Sequence, residues 1–238
     1  MSTLKTIAII PARGGSKRIP HKNIKLFHGK PLIAYSIEIA LASGLFDAVI
    51  VSTDDAEIVK IANEYGAITP FTRPKELSDD FTGSGAVVSH AIKWLRENGY
   101  DLQYVCTIYA TAPLLDKEYV KEGFDKLKNS DAKYTFSATS MPFPIQRTFK
   151  LTEDGRCEMF EKENFSKRSQ DLEEAYQDAG QFYWNDLSKS SDDIMFGKDS
   201  IPIILPRHLV QDIDTLEDWK RAELMYEVLQ LNALKESL

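Results

Sequence analysis

The sequence predicts an α/β protein with a Rossmann-like, three-layer fold: a mostly parallel sheet, helices on both faces, and an inserted arm. Three observations carry this. Short apolar runs alternate with helical periodicity over the first 130 or so residues, as in βαβ units. At 238 residues the chain suits one such domain with an appendage. The alternation fails between 141 and 184, where the chain turns polar and aromatic. We therefore assign 1–140 and 185–238 to the α/β domain and 141–184 to the arm.

Thr6-Ile7-Ala8-Ile9-Ile10 is a continuous apolar run, as in a buried parallel strand. A long loop follows to Pro31. Leu32, Tyr35, Ile39 and Ala42 then recur at helical spacing, and Gly44 ends them. Ala48–Val51 is a second strand. Ile58, Ile61, Ala62 and Tyr65 mark a second helix, closed by Gly66. Ser84 to Glu97 is a third helix, Tyr104 to Tyr109 a strand, and Asp116 to Leu127 a fourth helix. Tyr134 to Ser140 alternates as a strand. Asp154-Gly155 marks a hairpin within the arm. Ile201–Leu205 resumes the strands, and a last helix starts near Thr215 with Leu216, Trp219, Ala222, Tyr226 and Leu229 on one stripe.

Several classes are excluded. The net charge of -7 disfavours a general nucleic-acid binder, which gains affinity from Lys and Arg on phosphates. No apolar run approaches the roughly 20 residues of a membrane span. Cys106 and Cys157 form no ligand spacing, and a reduced, cytoplasmic setting is expected. No G-x-G-x-x-G follows the first strand, which argues against an NAD-linked oxidoreductase. The four histidines form no metal-ligand spacing.

Charge is unevenly spread. Arg13, Lys17, Arg18, Lys22, Lys25 and Lys30 lie between Pro11 and Pro31 with no acid among them, so the rest of the chain carries -13. Ligands bind at the carboxyl ends of strands in such sheets. A Gly14-Gly15 pair lets backbone N–H groups approach an anion, and Arg13 and Lys17 supply charge to phosphate oxygens. Near the other end, Asp212 and Asp214 share one side of an extended segment. Paired carboxylates suit Mg²⁺, which takes oxygen ligands together with substrate phosphate. Asp214-x-x-Glu217 also fits a helix capping box, a reading that leaves Asp212 unexplained.

Ile10-Pro11-Ala12-Arg13-Gly14-Gly15-Ser16-Lys17-Arg18-Ile19-Pro20-His21-Lys22-Asn23 resembles the N-terminal signature of the CMP-sialic acid synthetases. Gly29-Lys30-Pro31-Leu32, Ser52-Thr53-Asp54-Asp55, Arg73-Pro74-Lys75-Glu76-Leu77-Ser78 and Thr111-Ala112-Pro113-Leu114 are similar to that family in the same order. The resemblance implies a cytidylyltransferase that takes CTP and a nine-carbon sugar acid, uses Mg²⁺ and forms a homodimer through the arm. It implies nucleotide contacts from Ala12, Arg13, Gly14, Gly15, Ser16, Lys17, Lys22, Asn23, Arg73 and Ser84, with Arg13 and Lys17 on the leaving pyrophosphate. It makes Asp212 and Asp214 the metal ligands.

Within that family three stretches depart from the sialic pattern: Tyr109-Ala110-Thr111, Arg168-Ser169-Gln170-Asp171-Leu172, and Asp178 to Trp184. Together with Pro142–Arg147 they resemble the branch acting on pseudaminic acid, with the neuraminate, legionaminate and KDO branches as alternatives. A non-catalytic nucleotide-binding module is the alternative from another class. Sugar contacts are expected from Tyr109, Thr111, Arg147, Arg168, Gln170, Gln181, Phe182 and Tyr183. Arg147 or Arg168 would take the carboxylate. The aromatic run Phe182-Tyr183-Trp184 could cover acyl methyls or pack in the core.

Overall fold

The computed structural model describes residues 5–191 and 193–236. In chain order, β1 (Thr6–Pro11) enters the basic loop, which holds the two-residue strands β2 (Leu26–Phe27) and β3 (Lys30–Pro31). Then come α1 (Leu32–Ser43), β4 (Ala48–Ser52), α2 (Ala56–Glu64), α3 (Ser84–Glu97), β5 (Tyr104–Ile108), α4 (Lys117–Lys128) and β6 (Tyr134–Ser140). The arm carries β7 (Phe149–Leu151) and β8 (Cys157–Met159), paired antiparallel. The chain ends with β9 (Tyr176–Asp186), β10 (Ser200–Ile204) and α5 (Leu216–Glu236).

Local chemistry sets the ends of these elements. Asp55 caps α2 by accepting from the N–H groups of Glu57 and Ile58, and Asp116 caps α4 by accepting from that of Glu118. Gly44 ends α1 in the left-handed conformation, at φ 67°. Gly155 turns the arm hairpin at φ 77°.

The main sheet has the order β10-β6-β9-β5-β1-β4. Every strand runs the same way except β9, which lies antiparallel between β5 and β6. Side chains alternate across the sheet. Ala8, Ile10, Cys106 and Ile108 pack with α1, α2 and α4 on one face, while Ile7, Ile9 and Val105 pack with α3 on the other. Trp219 and Ala222 of α5 join Ile19, Phe27, Leu32, Tyr35 and Ile213, which fixes the basic loop and the Asp212–Asp214 segment to one cluster.

One sequence boundary needs correction. The segment 176–184, assigned above to the arm, is a central strand of the sheet; the projecting part spans 141–175. Its polar start and its Gly180 hide the strand, and only 179–184 is substantially buried. Phe182 and Trp184 are fully buried in the α4 layer, and the Trp184 indole N–H donates to the carbonyl of Val120 at 3.0 Å. Of the two readings of the aromatic run, these residues take the core one.

That packing explains a mid-helix glycine. A Cβ on Gly123 of α4 would lie 2.9 Å from the Phe182 ring and 3.0 Å from the Trp184 ring. Helix propensity alone would make Gly123→Ala stabilising by roughly 0.5–1 kcal/mol. Overpacking costs about 1–3 kcal/mol and reverses the sign. Denaturant unfolding of G123A should therefore show a lower midpoint than the parent; a higher midpoint would mean that the aromatic pair yields.

Candidate active site

Six strand ends meet at one edge of the sheet. The carboxyl ends of β1, β4, β5, β6 and β10 point there, joined by the start of β9. An open cleft of about 270 Å³ lies at this edge. Arg13, Ser16, Lys17, Lys22, Asn23, Arg73, Ser84, Tyr109, Thr111 and Asp214 all line it, so most of the expected nucleotide set converges on one place.

The cations are held, not loose. Arg13 donates to the Asp79 carbonyl at 2.6 Å and to the Asp80 carboxylate at 2.7 Å, and Lys17 pairs with the same carboxylate. Arg18 meets Asp214 at 2.7 Å; Lys22 donates to the Ile213 carbonyl at 2.5 Å and lies 3.3 Å from Asp214. The buried Asn23 carboxamide donates to the Arg13 carbonyl at 2.9 Å and so fixes the loop from within. Arg73 is nearly fully buried, and desolvation lowers its pKa to about 10, partly offset by Asp54. It stays charged at neutral pH, donating to the carbonyl and hydroxyl of Ser52.

Other expected residues sit elsewhere. Ala12 is buried, and neither it nor Gly14 and Gly15 lines the cleft. Gly14 is required for a different reason. Its N–H donates to Asp54 at 3.1 Å, and a Cβ there would collide with the Asp55 side chain. Gly15 has open space around it. Arg147, Arg168 and Gln170 are in the arm and line no cavity at the sheet edge of their own chain. Arg168 forms a two-pronged pair with Asp171. Phe182 is core, so the structure does not bring it to the cleft. Gln181 is also buried and donates to the Leu209 carbonyl at 2.5 Å, bracing the link to Asp212.

A second cavity of about 430 Å³ adjoins the first on the α3 face. The two share Ser84 and Tyr109, whose hydroxyls lie 3.0 Å apart. Tyr183 lines the second cavity and donates to Asp178 at 2.7 Å; burial pushes its hydroxyl pKa up. Tyr109 and Tyr183 pack with ring centres 5.2 Å apart.

The Asp212–Asp214 segment settles one ambiguity. The capping box of α5 is Thr215 with Asp218: the Thr215 hydroxyl accepts from the Asp218 N–H, and the Asp218 carboxylate accepts from the Thr215 N–H. Asp214 is therefore not the side-chain cap. Ile213 is fully buried, anchoring the segment between its two acids. Crowding around the Asp212 carboxyl, then the nearby Asp214 charge, raises its pKa although the residue as a whole is exposed. Two mutually repelling carboxylates beside a cationic cleft fit a divalent cation. No cluster of three or more His, Cys, Asp or Glu among the described residues is arranged to hold one, so such an ion would need phosphate or sugar oxygens and water as well.

A cationic cleft at the carboxyl edge of a mostly parallel sheet, with Asp214 paired to its basic loop, suits a nucleotide's phosphates, and the family match makes the chain a nucleotidyltransferase. The chain belongs to the cytidylyltransferase family, whose model matches residues 7–214. It is 49% identical over 227 residues to the pseudaminic acid cytidylyltransferase of Campylobacter jejuni, covering 94% of this chain and 97% of that one. It is 37% identical over 212 residues to a Helicobacter pylori protein named as both pseudaminic acid cytidylyltransferase and UDP-2,4-diacetamido-2,4,6-trideoxy-beta-L-altropyranose hydrolase, covering 88% of this chain and 40% of that one. The fold is similar to that of CMP:2-keto-3-deoxy-manno-octonic acid synthetase complexed with CTP, with a TM-score of 0.65 at 14% identity and coverage of 94% and 98%.

Sequence reasoning did not single out Asp80, Asp178 or Asn185. Asp80 follows the Arg73–Ser78 motif, and its acid pair with Asp79 was the available signal. Tyr109 and Tyr183, two of the expected sugar contacts, line the second cavity, but no local pattern reveals the cavity itself, because its described walls come from α3, three strands and the loop after β9.

Asp80 sits on the two cations expected to meet phosphate, so a bound triphosphate must displace it. Exposed ion pairs are worth about 0–1 kcal/mol each. Asp80→Asn should therefore tighten CTP binding by roughly 2- to 10-fold. Titration calorimetry checks this, and weaker binding in the variant would show that Asp80 supports the nucleotide.

Proposed function

We propose that this chain transfers CMP from CTP to pseudaminic acid, giving the CMP-sugar and pyrophosphate. The observation that carries the substrate assignment is its likeness, over nearly the whole length of both chains, to the Campylobacter jejuni enzyme. The geometry supports it independently. A cationic cleft of nucleotide size opens at Ser84 and Tyr109 into a second cavity roomy enough for a sugar.

CTP lies in the first cleft with its triphosphate along Arg13, Ser16 and Lys17. Asn23, Arg73 and Ser84 address the base and ribose. The sugar acid lies in the second cavity with its anomeric hydroxyl toward Tyr109. That oxygen forms a bond to the α-phosphorus while the bond from the α-phosphorus to the bridging oxygen of pyrophosphate breaks in line, and the hydroxyl proton passes to solvent water. Arg13 and Lys17 offset the charge developing on pyrophosphate. Mg²⁺ held by Asp212 and Asp214 would supply further charge offset and lower the pKa of a hydroxyl bound to it. A cytoplasmic setting, where CTP is at hand, suits this reaction.

The arm supplies the remaining contacts in a homodimer. Phe143, Phe149, Leu151, Phe160 and Phe165 are exposed on it, more apolar surface than a monomer leaves bare without use. Arg147, Arg168 and Gln170 would then face the mouth between a second copy's cleft and cavity, with one guanidinium taking the sugar carboxylate on the side of the cleft. Light scattering should report a dimer, and Phe143→Ser with Phe165→Ser should shift it toward monomer.

The primary test is pyrophosphate release from CTP with Mg²⁺ and a panel of nonulosonic acids. Release with pseudaminate is expected. Release with neuraminate or legionaminate alone would reassign the substrate, and release with none would leave a binding module. Asp212→Asn should lower kcat about 10²- to 10³-fold. It should not lower Tm at pH 7 without metal. A carboxyl whose folded pKa is raised costs stability above that pKa, and the amide removes the cost. A large metal-free loss of Tm would make Asp212 structural.

A further inference from the structure

The second cavity has a composition that says what fills it. Among the described residues Asp178 is its only charged lining residue, and no Lys, Arg or His of theirs borders it. A sugar carboxylate is repelled there and must stay on the side of the cationic cleft. The part of the substrate that enters is neutral. Val88, Ile92, Val105, Met195 and Phe196 give it apolar walls.

One polar group in this wall is unsatisfied. Asn185 opposes Val105 of β5 and Tyr134 of β6, and its carboxamide oxygen is buried without a hydrogen-bond partner. An unpaired buried acceptor costs about 1–3 kcal/mol in native structures and calls for a reason. Tyr109 at the shared mouth is four residues from Val105 along the chain, which is about 13 Å in extended backbone. Asn185 therefore lies at the far end of the cavity from the reacting centre. Phe196 helps to close that space from an unusual backbone position, φ 79°, with its ring edge-on to Phe136 at 4.6 Å.

We infer that Asn185 is a specificity-determining residue that hydrogen-bonds an acylamino group on the sugar's tail, remote from the anomeric carbon. A carboxamide offers one acceptor and donors; an acylamino group offers one donor and one acceptor. The match holds for either orientation of the amide. The apolar neighbours cover the acyl methyl. A site built for such a bond rejects an analogue lacking it, because its own polar group is then left unpaired. The inference deepens the assignment of a nonulosonic acid as substrate and rests on it.

The test uses an analogue carrying an O-acyl ester where the substrate carries N-acyl, which keeps the shape and removes the N–H. Wild-type enzyme should prefer the N-acyl sugar by about 10- to 100-fold in kcat/KM, mostly through KM. Asn185→Leu should bring the two within about threefold, with CTP affinity unchanged. The proposal is overturned if wild-type enzyme does not discriminate, or if the leucine variant discriminates as strongly as the parent. If the leucine variant misfolds and loses CTP binding, Asn185→Ala takes its place, with the same narrowing to within about threefold expected and undiminished discrimination overturning the proposal. Absence of pyrophosphate release by wild-type enzyme with either sugar, while CTP still binds, would instead sink the substrate assignment itself.

Discussion

The crowding of like charge after β1 is the constraint that the site answers to. Arg13, Lys17, Arg18 and Lys22 all reach one cleft, where their like charges oppose one another. The chain offsets them with acids from distant segments. Asp80 takes Arg13 and Lys17; Asp214 takes Arg18 and Lys22; Asp54 faces the buried Arg73 and the Gly14 amide. The fold is thus complete without a polyanion, and nucleotide binding becomes an exchange of counter-ions. Such an exchange costs less than baring four charges, because each cation leaves one anion for another.

Sheet topology then decides where the second substrate goes. Inserting β9 antiparallel between β5 and β6 reverses its side-chain order relative to its neighbours. Tyr183 and Asn185 stand beside Thr107 and Val105 on the α3 face, while Phe182 and Trp184 fill the opposite layer. A single strand therefore seals the core with one set of residues and builds a cavity with the other. Gly123 belongs to the first task, since α4 must come close enough to cover the two rings.

Much of this was legible in the sequence, for identifiable reasons. The apolar runs of β1, β4 and β5 and the helical stripes of α1 to α4 are local signals, and the structure has them where periodicity puts them. The basic loop was legible because charge asymmetry needs no tertiary knowledge. The strand β9 was not, because its polar first half carries no apolar run and its partners lie far away in sequence. Asp80 was missed for a related reason: its meaning comes from cations more than 60 residues away. Gly14 has a second requirement that the sequence did not reveal, because a Cβ there would meet the side chain of Asp55.

The Asp212–Asp214 segment shows why a local motif can mislead when read alone. Asp214-x-x-Glu217 has capping-box spacing, yet the box forms one residue later, at Thr215 and Asp218. That shift has a consequence. An Asp engaged as an N-cap spends its oxygens on backbone N–H groups and has less to offer a cation. With Thr215 doing the capping and Ile213 buried as an anchor, Asp214 faces the cleft and Asp212 stays close enough for the two charges to oppose each other. The helix end is satisfied by other groups, so the repulsion is left in place rather than relaxed by capping. Arg18 and Lys22 balance Asp214 in this structure, so a further cation between the two carboxylates would have to take their place as they turn to a bound polyanion.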